Sequence, residues 1–352
     1  MNIYSLKFMV HKTRLCFKSS SILFRLIILL ALSSCDTVLQ YPEGDGIDPT
    51  LIKTRVELAV DFTPINDPLL ASYADARTGD FDVRYQVAIY AASGAQAGKM
   101  VERKVWTSNI LEAGPTTVTA DVELHAERYE IYSWIDFVPS GTTTDYHYIT
   151  ADPRKVFLAD PNVCGLDTRD AFSGTTQTDL TRYRNVKFAE VTIPVAMERP
   201  FGKFKIVTTD VKKFLESYKP LGTYTDIVPA QTKLRYTCFF PTAYNLDTRY
   251  AHIDEYKVGI NHIAEVIEQE DNKATLSYNY IFICNDNTTV TADVEVWNKE
   301  GEYLITARNI RIPIQRNRLT IIQGEFLTKD YGTGGTGIDD SFDDEFVIII
   351  PD

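Results

Sequence analysis

Apolar and polar residues alternate with a period of two along most of this chain. Val56, Leu58, Val60 and Phe62 interleave with Glu57, Ala59 and Asp61. The same beat returns at Val83, Tyr85, Val87 and Ile89, at residues 118–124, at 129–135 and at 191–195. A second series runs through Phe204 and Ile206, residues 234–240, 256–260 and 276–283, then 290–296 and 303–314. Alternation of this kind gives each strand one face for a core and one for water. Turn residues recur roughly every ten positions, as in antiparallel β-sandwiches. Twenty Tyr and eighteen Phe suit half-buried pleated faces. Helix is scarce, the one short candidate being residues 211–217 with Asp210 as its N-cap. The pattern breaks at Glu198-Arg199-Pro200, where proline stops one strand and a new set begins at Phe201. The expectation is an all-β protein of two tandem antiparallel β-sandwich domains, residues 51–198 and 199–328.

The two ends depart from this pattern. At the start, Lys7, Lys12, Arg14, Lys18 and Arg25 precede an apolar run at residues 26–32, and Leu32-Ser33-Ser34-Cys35 follows. A positive region, a short apolar region and small residues before a cysteine have the layout of a lipoprotein signal peptide, residues 1–34. The apolar run is shorter than the ~20 residues a membrane span needs. Cys35 is the expected lipidation site. One acyl chain anchors only marginally, so a triacylated Cys35 carrying palmitate-type chains is the arrangement that holds. Residues 35–50, with Pro42, Gly44, Gly46 and Pro49, read as a flexible tether. At the other end, residues 329–352 hold Gly332, Gly334, Gly335 and Gly337, then acids from Asp339 to Glu345, then Phe346-Val347-Ile348-Ile349-Ile350. Alternation in that last run puts Phe346, Ile348 and Ile350 on one side. An apolar strand of this kind must be paired, either in its own chain or in a neighbour.

Charge narrows the partners. Without the signal the chain carries 31 basic and 48 acidic residues, a net charge of −17. That balance argues against nucleic acid and against binding an anionic membrane through protein surface, which leaves the lipid as the link to the outer membrane. Three cysteines remain in the body, Cys164, Cys238 and Cys284, with no CxxC spacing. One disulfide at most can form, with Cys238 and Cys284 the better pair, and buried free thiols are the equal alternative.

Catalytic and cofactor signatures are missing. His125, His147, His252 and His262 have neither HxH nor HExxH spacing, so no metal site is expected. There is no G-x-S-x-G turn. The Gly-x-x-x-Gly-Lys run at residues 94–99 is one residue short of a phosphate loop, and Met100 stands where Ser or Thr is needed. The acids at 339–345 lack the placement of a calcium loop. The reading is a non-enzyme without a cofactor. Trp106, Trp134 and Trp297 offer an alternative, a stacking platform for a surface glycan or other ligand, although Trp134 and Trp297 sit inside strand patterns that favour a core role. Asp36-Thr37-Val38 looks like the Asp-Ser/Thr-apolar acceptor of O-glycosylation in Bacteroidetes, which marks Thr37.

Several segments together resemble the fimbrillin-like lipoproteins of Bacteroidales, the fimbrial anchor-subunit branch in particular. They are Tyr41-Pro42-Glu43-Gly44 to Asp48-Pro49, Arg169-Asp170-Ala171-Phe172-Ser173-Gly174, Arg199-Pro200-Phe201-Gly202-Lys203-Phe204, and Ile312-Pro313-Ile314-Gln315-Arg316-Asn317 through Leu327-Thr328. The resemblance implies two transthyretin-like sandwiches and assembly by strand exchange with other fimbrial subunits. It also implies a role at the cell surface that can extend to host or bacterial surface ligands. In polymerising members a protease cuts after an Arg or Lys in the loop behind the first strand. Here that loop is residues 64–80, and Arg77 is the matching position. Anchor members keep their lipid and stay whole. The Arg and Asn of the quoted motifs are expected to shape the domain joint rather than to catalyse.

Overall fold

The computed structural model describes residues 50–65, 80–109, 113–217, 227–270, 272–286, 288–329 and 346–350. Strands dominate. The first series comprises β1 (Ile52–Asp61), β2 (Phe81–Ala91), β3 (Met100–Ser108), β4 (Pro115–Leu124) and β5 (Arg128–Pro139). It continues with β6 (Tyr148–Asp152), β7 (Lys155–Leu158), β8 (Ala171–Asp179) and β9 (Glu190–Ala196). The second series opens with β10 (Phe201–Thr208), helix α1 (Val211–Ser217), β11 (Gln231–Tyr236), β12 (Phe240–Pro241), β13 (Ala243–Asn245) and β14 (Tyr250–Ala251). Then come β15 (Tyr256–Lys257), β16 (Asn261–Glu265), β17 (Ile267–Glu270), β18 (Lys273–Phe282) and β19 (Thr289–Trp297). The last three are β20 (Tyr303–Pro313), β21 (Leu319–Gly324) and β22 (Phe346–Ile350).

Two sandwiches result, and they repeat one topology. In the first, sheet β4-β1-β9 faces sheet β3-β2-β5-β8. In the second, β18-β10-β21 stands where β4-β1-β9 does, with β17 and β22 added at its ends, and β16-β11-β19-β20 is the other sheet. Pairing is antiparallel except that each opening strand runs parallel to the closing one, β1 with β9 and β10 with β21. A period of two cannot report that direction, because parallel and antiparallel strands alternate alike. Strand β1 shows the alternation at its cleanest. Ile52, Thr54, Val56, Leu58 and Val60 are buried, while Lys53, Arg55, Ala59 and Asp61 are exposed.

The middle sheet breaks the one-face rule. Val83, Tyr85, Val87 and Ile89 of β2 join the core of the first sandwich. Ala88 and Tyr90 of the same strand, with Tyr132 and Trp134 of β5, join the core of the second. Both faces of this sheet are therefore covered. Part of the cover is a small sheet, β14-β13-β7-β6, which takes strands from either side of residues 198–199. The chain from Thr50 onward forms one compact unit. An aromatic line crosses it, from Trp134 to Tyr148 (5.2 Å between ring centroids), on to Phe282 (6.1 Å) and to Phe201 (6.3 Å).

Helix α1 lies where the sequence places it, and Asp210 stands at its N-cap position, its carbonyl accepting the Phe214 N–H (2.8 Å), but its side chain caps another segment. The Asp210 side chain accepts backbone N–H groups of Leu327 (3.2 Å) and Thr328 (2.7 Å), tying down the chain after β21. The helix's first N–H groups go to Asn272, whose backbone carbonyl takes Val211 (3.2 Å) and whose side chain takes Lys212 (2.8 Å). Orphan donors at a helix start need acceptors, and a neighbouring turn supplies them as well as a local cap does.

One glycine marks a close approach of two backbones. A Cβ on Gly202 would collide with the Gln315 carbonyl and sit 2.8 Å from Ile314 Cγ2. Gly202 and Gln315 belong to two of the sequence motifs quoted above, so the contact binds them. Gly202→Ala is expected to lower the unfolding free energy by about 1–3 kcal/mol through overpacking, read as a lower urea midpoint with an unchanged slope.

Candidate functional site

The expected chemistry of this chain lies in strand edges and in the joint between sandwiches. Cys35, Thr37 and Arg77 lie outside the described residues. What they flank is described. Strand β1 pairs antiparallel with β4 along its full length, Ile52 opposite Leu124 to Asp61 opposite Pro115. On its other side it pairs parallel with β9, Lys53 opposite Glu190 to Ala59 opposite Ala196. Burying four aliphatic side chains, Ile52, Val56, Leu58 and Val60, is worth on the order of 10 kcal/mol gross. That is comparable to the net stability of a whole domain. A cut behind β1 would therefore not by itself release it.

The terminal run at residues 346–350 is strand β22. It lies antiparallel on β21, in register from Leu319 opposite Ile350 to Gln323 opposite Phe346. It is the outermost strand of the five-stranded sheet. In this structure the pairing is made within the chain.

The joint is ionic and buried. Arg199 sits at its centre, 3% exposed. Its Nε donates to both oxygens of Asp170 (2.8 and 3.0 Å), and Nη2 donates to Asp170 Oδ2 (2.9 Å). Nη2 also donates to the Thr63 carbonyl just past β1 (2.8 Å), and Nη1 to Asn317 Oδ1 of the second sandwich (2.7 Å). The guanidinium lies 4.6 Å from the Phe172 ring centroid. Asn317 holds a left-handed backbone (φ 55°), a conformation that asparagine tolerates better than most residues. Beside it, Arg316 donates to the Arg199 carbonyl (3.3 Å) and the Tyr244 hydroxyl (3.0 Å), and pairs with Glu198 (3.4 Å). Lys203 pairs with Asp167 (2.9 Å), which also accepts from the Tyr280 hydroxyl (3.2 Å). The motif residues Asp170, Arg199, Arg316 and Asn317 thus meet in space, in structural roles.

Sequence reasoning missed a second buried pair. Arg84 donates to Asp136 through Nε (2.8 Å) and Nη2 (2.6 Å), and through Nη1 to Asp145 (2.7 Å) and the Thr143 carbonyl (3.0 Å). Alternation assigns Arg84 and Asp136 to the water side of their strands, and that side is covered. Burial pushes the Asp136 carboxyl up, against the pull of the Arg84 guanidinium.

The remaining candidates carry no shared site. Cys164, Cys238 and Cys284 are all free thiols. Cys238 Sγ accepts the Thr291 N–H (3.0 Å), and burial pushes the Cys164 thiol up to about 11. The Cys238–Cys284 bond is not formed, and both residues keep free thiols. His147 donates to or accepts from Thr168 Oγ1 (2.9 Å). His262 is fully buried between the rings of Tyr236 (5.3 Å) and Phe240 (6.0 Å), and neither ring nitrogen has a hydrogen-bond partner. Burial lowers His147 to about 3 and His262 to about 4, with the Arg169 charge adding to both. Trp134 is buried, Trp106 stacks on Tyr85 (5.3 Å) and Trp297 meets Tyr303 edge-on (5.7 Å), so the three indoles lie in separate places rather than on one platform. Among the described residues no group of three or more His, Cys, Asp or Glu gathers as for a metal ion, and no helix is long and apolar enough to cross a membrane.

The model of a family described as a family of unknown function, DUF6562, matches residues 49–351. No curated protein matches the chain. Among solved structures, a candidate cell adhesion protein from Bacteroides eggerthii is similar at 12% identity and a TM-score of 0.45, over 87% of this chain and 97% of that one. The fimbrial anchor protein Mfa2 from Porphyromonas gingivalis is similar at 11% identity and a TM-score of 0.40, over 78% and 90%. A candidate polysaccharide-binding protein from Bacteroides thetaiotaomicron is similar at 10% identity and 0.40, over 78% and 91%.

Two outcomes test the joint and the core. Arg199→Met or Asp170→Leu alone should cost about 3–5 kcal/mol by stranding a buried charge, and the double variant should recover the greater part. Urea unfolding of the three variants reads this. A histidine whose folded pKa lies below its unfolded value contributes stability that is complete above about pH 6.5 and is lost as pH falls. For His262 that window runs from about 6.5 down to about 4. Across it the wild type should lose on the order of 3 kcal/mol that His262→Leu does not lose, measured as the difference between their stability–pH curves.

Proposed function

This chain belongs to DUF6562, a family of unknown function, and we propose that it is a non-enzymatic, lipid-anchored fimbrial or adhesin-type subunit of the outer cell surface. Cys35 carries the lipid, and residues 35–50 form the tether that leads towards β1. The acidic body stays off the anionic bilayer, so the acyl chains hold it there. Assembly with other subunits uses strand complementation, in which backbone ladder bonds supply affinity and alternate side chains supply register.

The observation that carries this reading is β22, a five-residue strand at the open edge of a sheet. It is joined to the body by a long connection and paired only with β21 among the described residues. A strand held in this way can be lent to a neighbour without dismantling either sandwich. Strand β1 is different. It is central, doubly paired and continuous with the tether, and a subunit anchored through Cys35 must keep it. The reading therefore assigns the protein to the anchor or accessory class, with Arg77 left uncut in the anchored form and Thr37 a candidate for glycosylation on the tether.

Deletion of Phe346–Asp352 should leave a folded, surface-localised protein that no longer enters high-molecular-weight assemblies. Circular dichroism and fractionation of sheared surface material check both halves of that statement. Mass spectrometry of the native N-terminus should find an acylated Cys35 joined to an intact Arg77 region. A new N-terminus at Thr78 in filaments would instead make the protein a polymerising subunit.

A further inference from the structure

The repeated topology of the two sandwiches exposes a difference at one pair of edges. In each sandwich the closing strand lies parallel to the opening strand, β9 on β1 and β21 on β10. Among the described residues, β21 carries a further strand along its outer side, whereas β9 carries none along its length and meets β8 only just past its end, where Glu198 and Ser173 exchange backbone hydrogen bonds (2.8 and 2.9 Å).

Hydrogen bonds at the ends of the two ladders fix their phase. Lys53 N–H donates to the Ala189 carbonyl (2.9 Å) and Met197 N–H to that of Ala59 (2.8 Å). Lys203 N–H donates to the Arg318 carbonyl (3.0 Å) and Thr209 N–H to that of Gly324 (2.9 Å). Along a strand, alternate residues turn their N–H and C=O to alternate sides. In β9, Val191, Ile193 and Val195 therefore face β1, and Glu190, Thr192, Pro194 and Ala196 face the outer edge, with Gly174 of β8 against the Ala196 carbonyl at its end. In β21, Leu319, Ile321 and Gln323 face β22, opposite Ile350, Ile348 and Phe346. The first ladder opens with Lys53 opposite Glu190 and the second with Lys203 opposite Leu319. Counted from those pairs, Pro194 holds the place of Gln323.

Proline has no N–H to give, and the Pro194 side chain is exposed. A strand laid on β9 as β22 is laid on β21 would lose a ladder bond and meet the pyrrolidine ring. Proline on an edge strand is one of the devices by which proteins keep an edge from pairing. The edge of β21 has none in its ladder-facing positions.

We propose that strand exchange in this protein runs between the second sandwiches of two copies, β22 of each pairing with the β21 edge of the other, and that Pro194 closes the equivalent edge of the first sandwich to it. This rests on the terminal-strand assembly proposed above and names its acceptor. The own-chain and exchanged ladders contain the same pairs, so concentration decides between them. The connection from Glu325 to Glu345 spans 21 residues, of which Leu327 and Thr328 are held to Asp210. A connection of that length gives the chain's own strand an effective concentration of roughly millimolar order. Copies crowded on a surface by lipid anchors compete with it on those terms. Reciprocal exchange closes a symmetric pair and leaves no strand over.

The test uses the full chain in detergent with Phe346→p-benzoylphenylalanine, mixed with isotopically heavy chain and irradiated over a range of concentrations. The expected product is a light–heavy link to the β21 peptide whose yield rises with concentration, with no link to β9. Adding Pro194→Gln should make a β9 link appear. Should the bulky residue disturb β22, a Gln323→Cys chain mixed with a Phe346→Cys chain gives the same readout through an interchain disulfide. Links confined to the same chain at every concentration would overturn the proposal, as would interchain links to β9 or β4 with Pro194 in place. Either result can occur while the deletion of Phe346–Asp352 still abolishes assembly, which would mean donation to a different subunit. If that deletion is also without effect, the assembly reading itself falls.

Discussion

Arg199 is the residue around which the two halves of this protein are held in register. Its guanidinium reaches Asp170 at the start of β8, the carbonyl of Thr63 behind β1 and the side chain of Asn317 before β21. A buried guanidinium must satisfy its donors or lose several kcal/mol, so these three segments can be placed only where all of them serve it. Pro200 follows directly and stops the preceding strand. The joint is therefore specified by polar geometry as well as by the apolar core that Ala88, Tyr90, Tyr132 and Trp134 share with the second sandwich. Backbone contact completes it, since Gly202 lets β10 run against the Gln315 carbonyl.

The sheet next to that joint shows how the halves share one body. Sheet β3-β2-β5-β8 has a core on each side, and the small sheet β14-β13-β7-β6 draws strands from both halves. Polar residues on the covered face persist because they are paired, Arg84 with Asp136 and Asp145, and Gln86 with Thr150 (2.9 Å).

Much of the fold is legible from alternation. The strands at Val56, Val83, Val118, Tyr129, Val191, Phe204, Leu276 and Val290 lie where period two places them, and helix α1 spans Val211–Ser217. The site is less legible. Arg199, Asp170, Arg316 and Asn317 stand out only through the motifs quoted above, because an isolated arginine gives no sign of partners 29 and 118 residues away. Arg84 and Asp136 give no sign at all, since a charged residue on a strand reads as solvent-facing until another layer covers it. The cap of α1 escaped for the same reason, its acceptor lying on Asn272.

What the chain determines by itself is local and additive. Side-chain alternation selects strand over helix because it is set by backbone geometry at each residue. Tertiary structure alone decides which strands are neighbours, which of them run parallel, and which face of the middle sheet is covered. It alone sets Pro194 at an outer ladder position and Gln323 at the matching place in β21. Those outcomes depend on pairing and layer packing between segments far apart in sequence. A residue's own identity states what it can offer to a neighbour, and the fold supplies the neighbour.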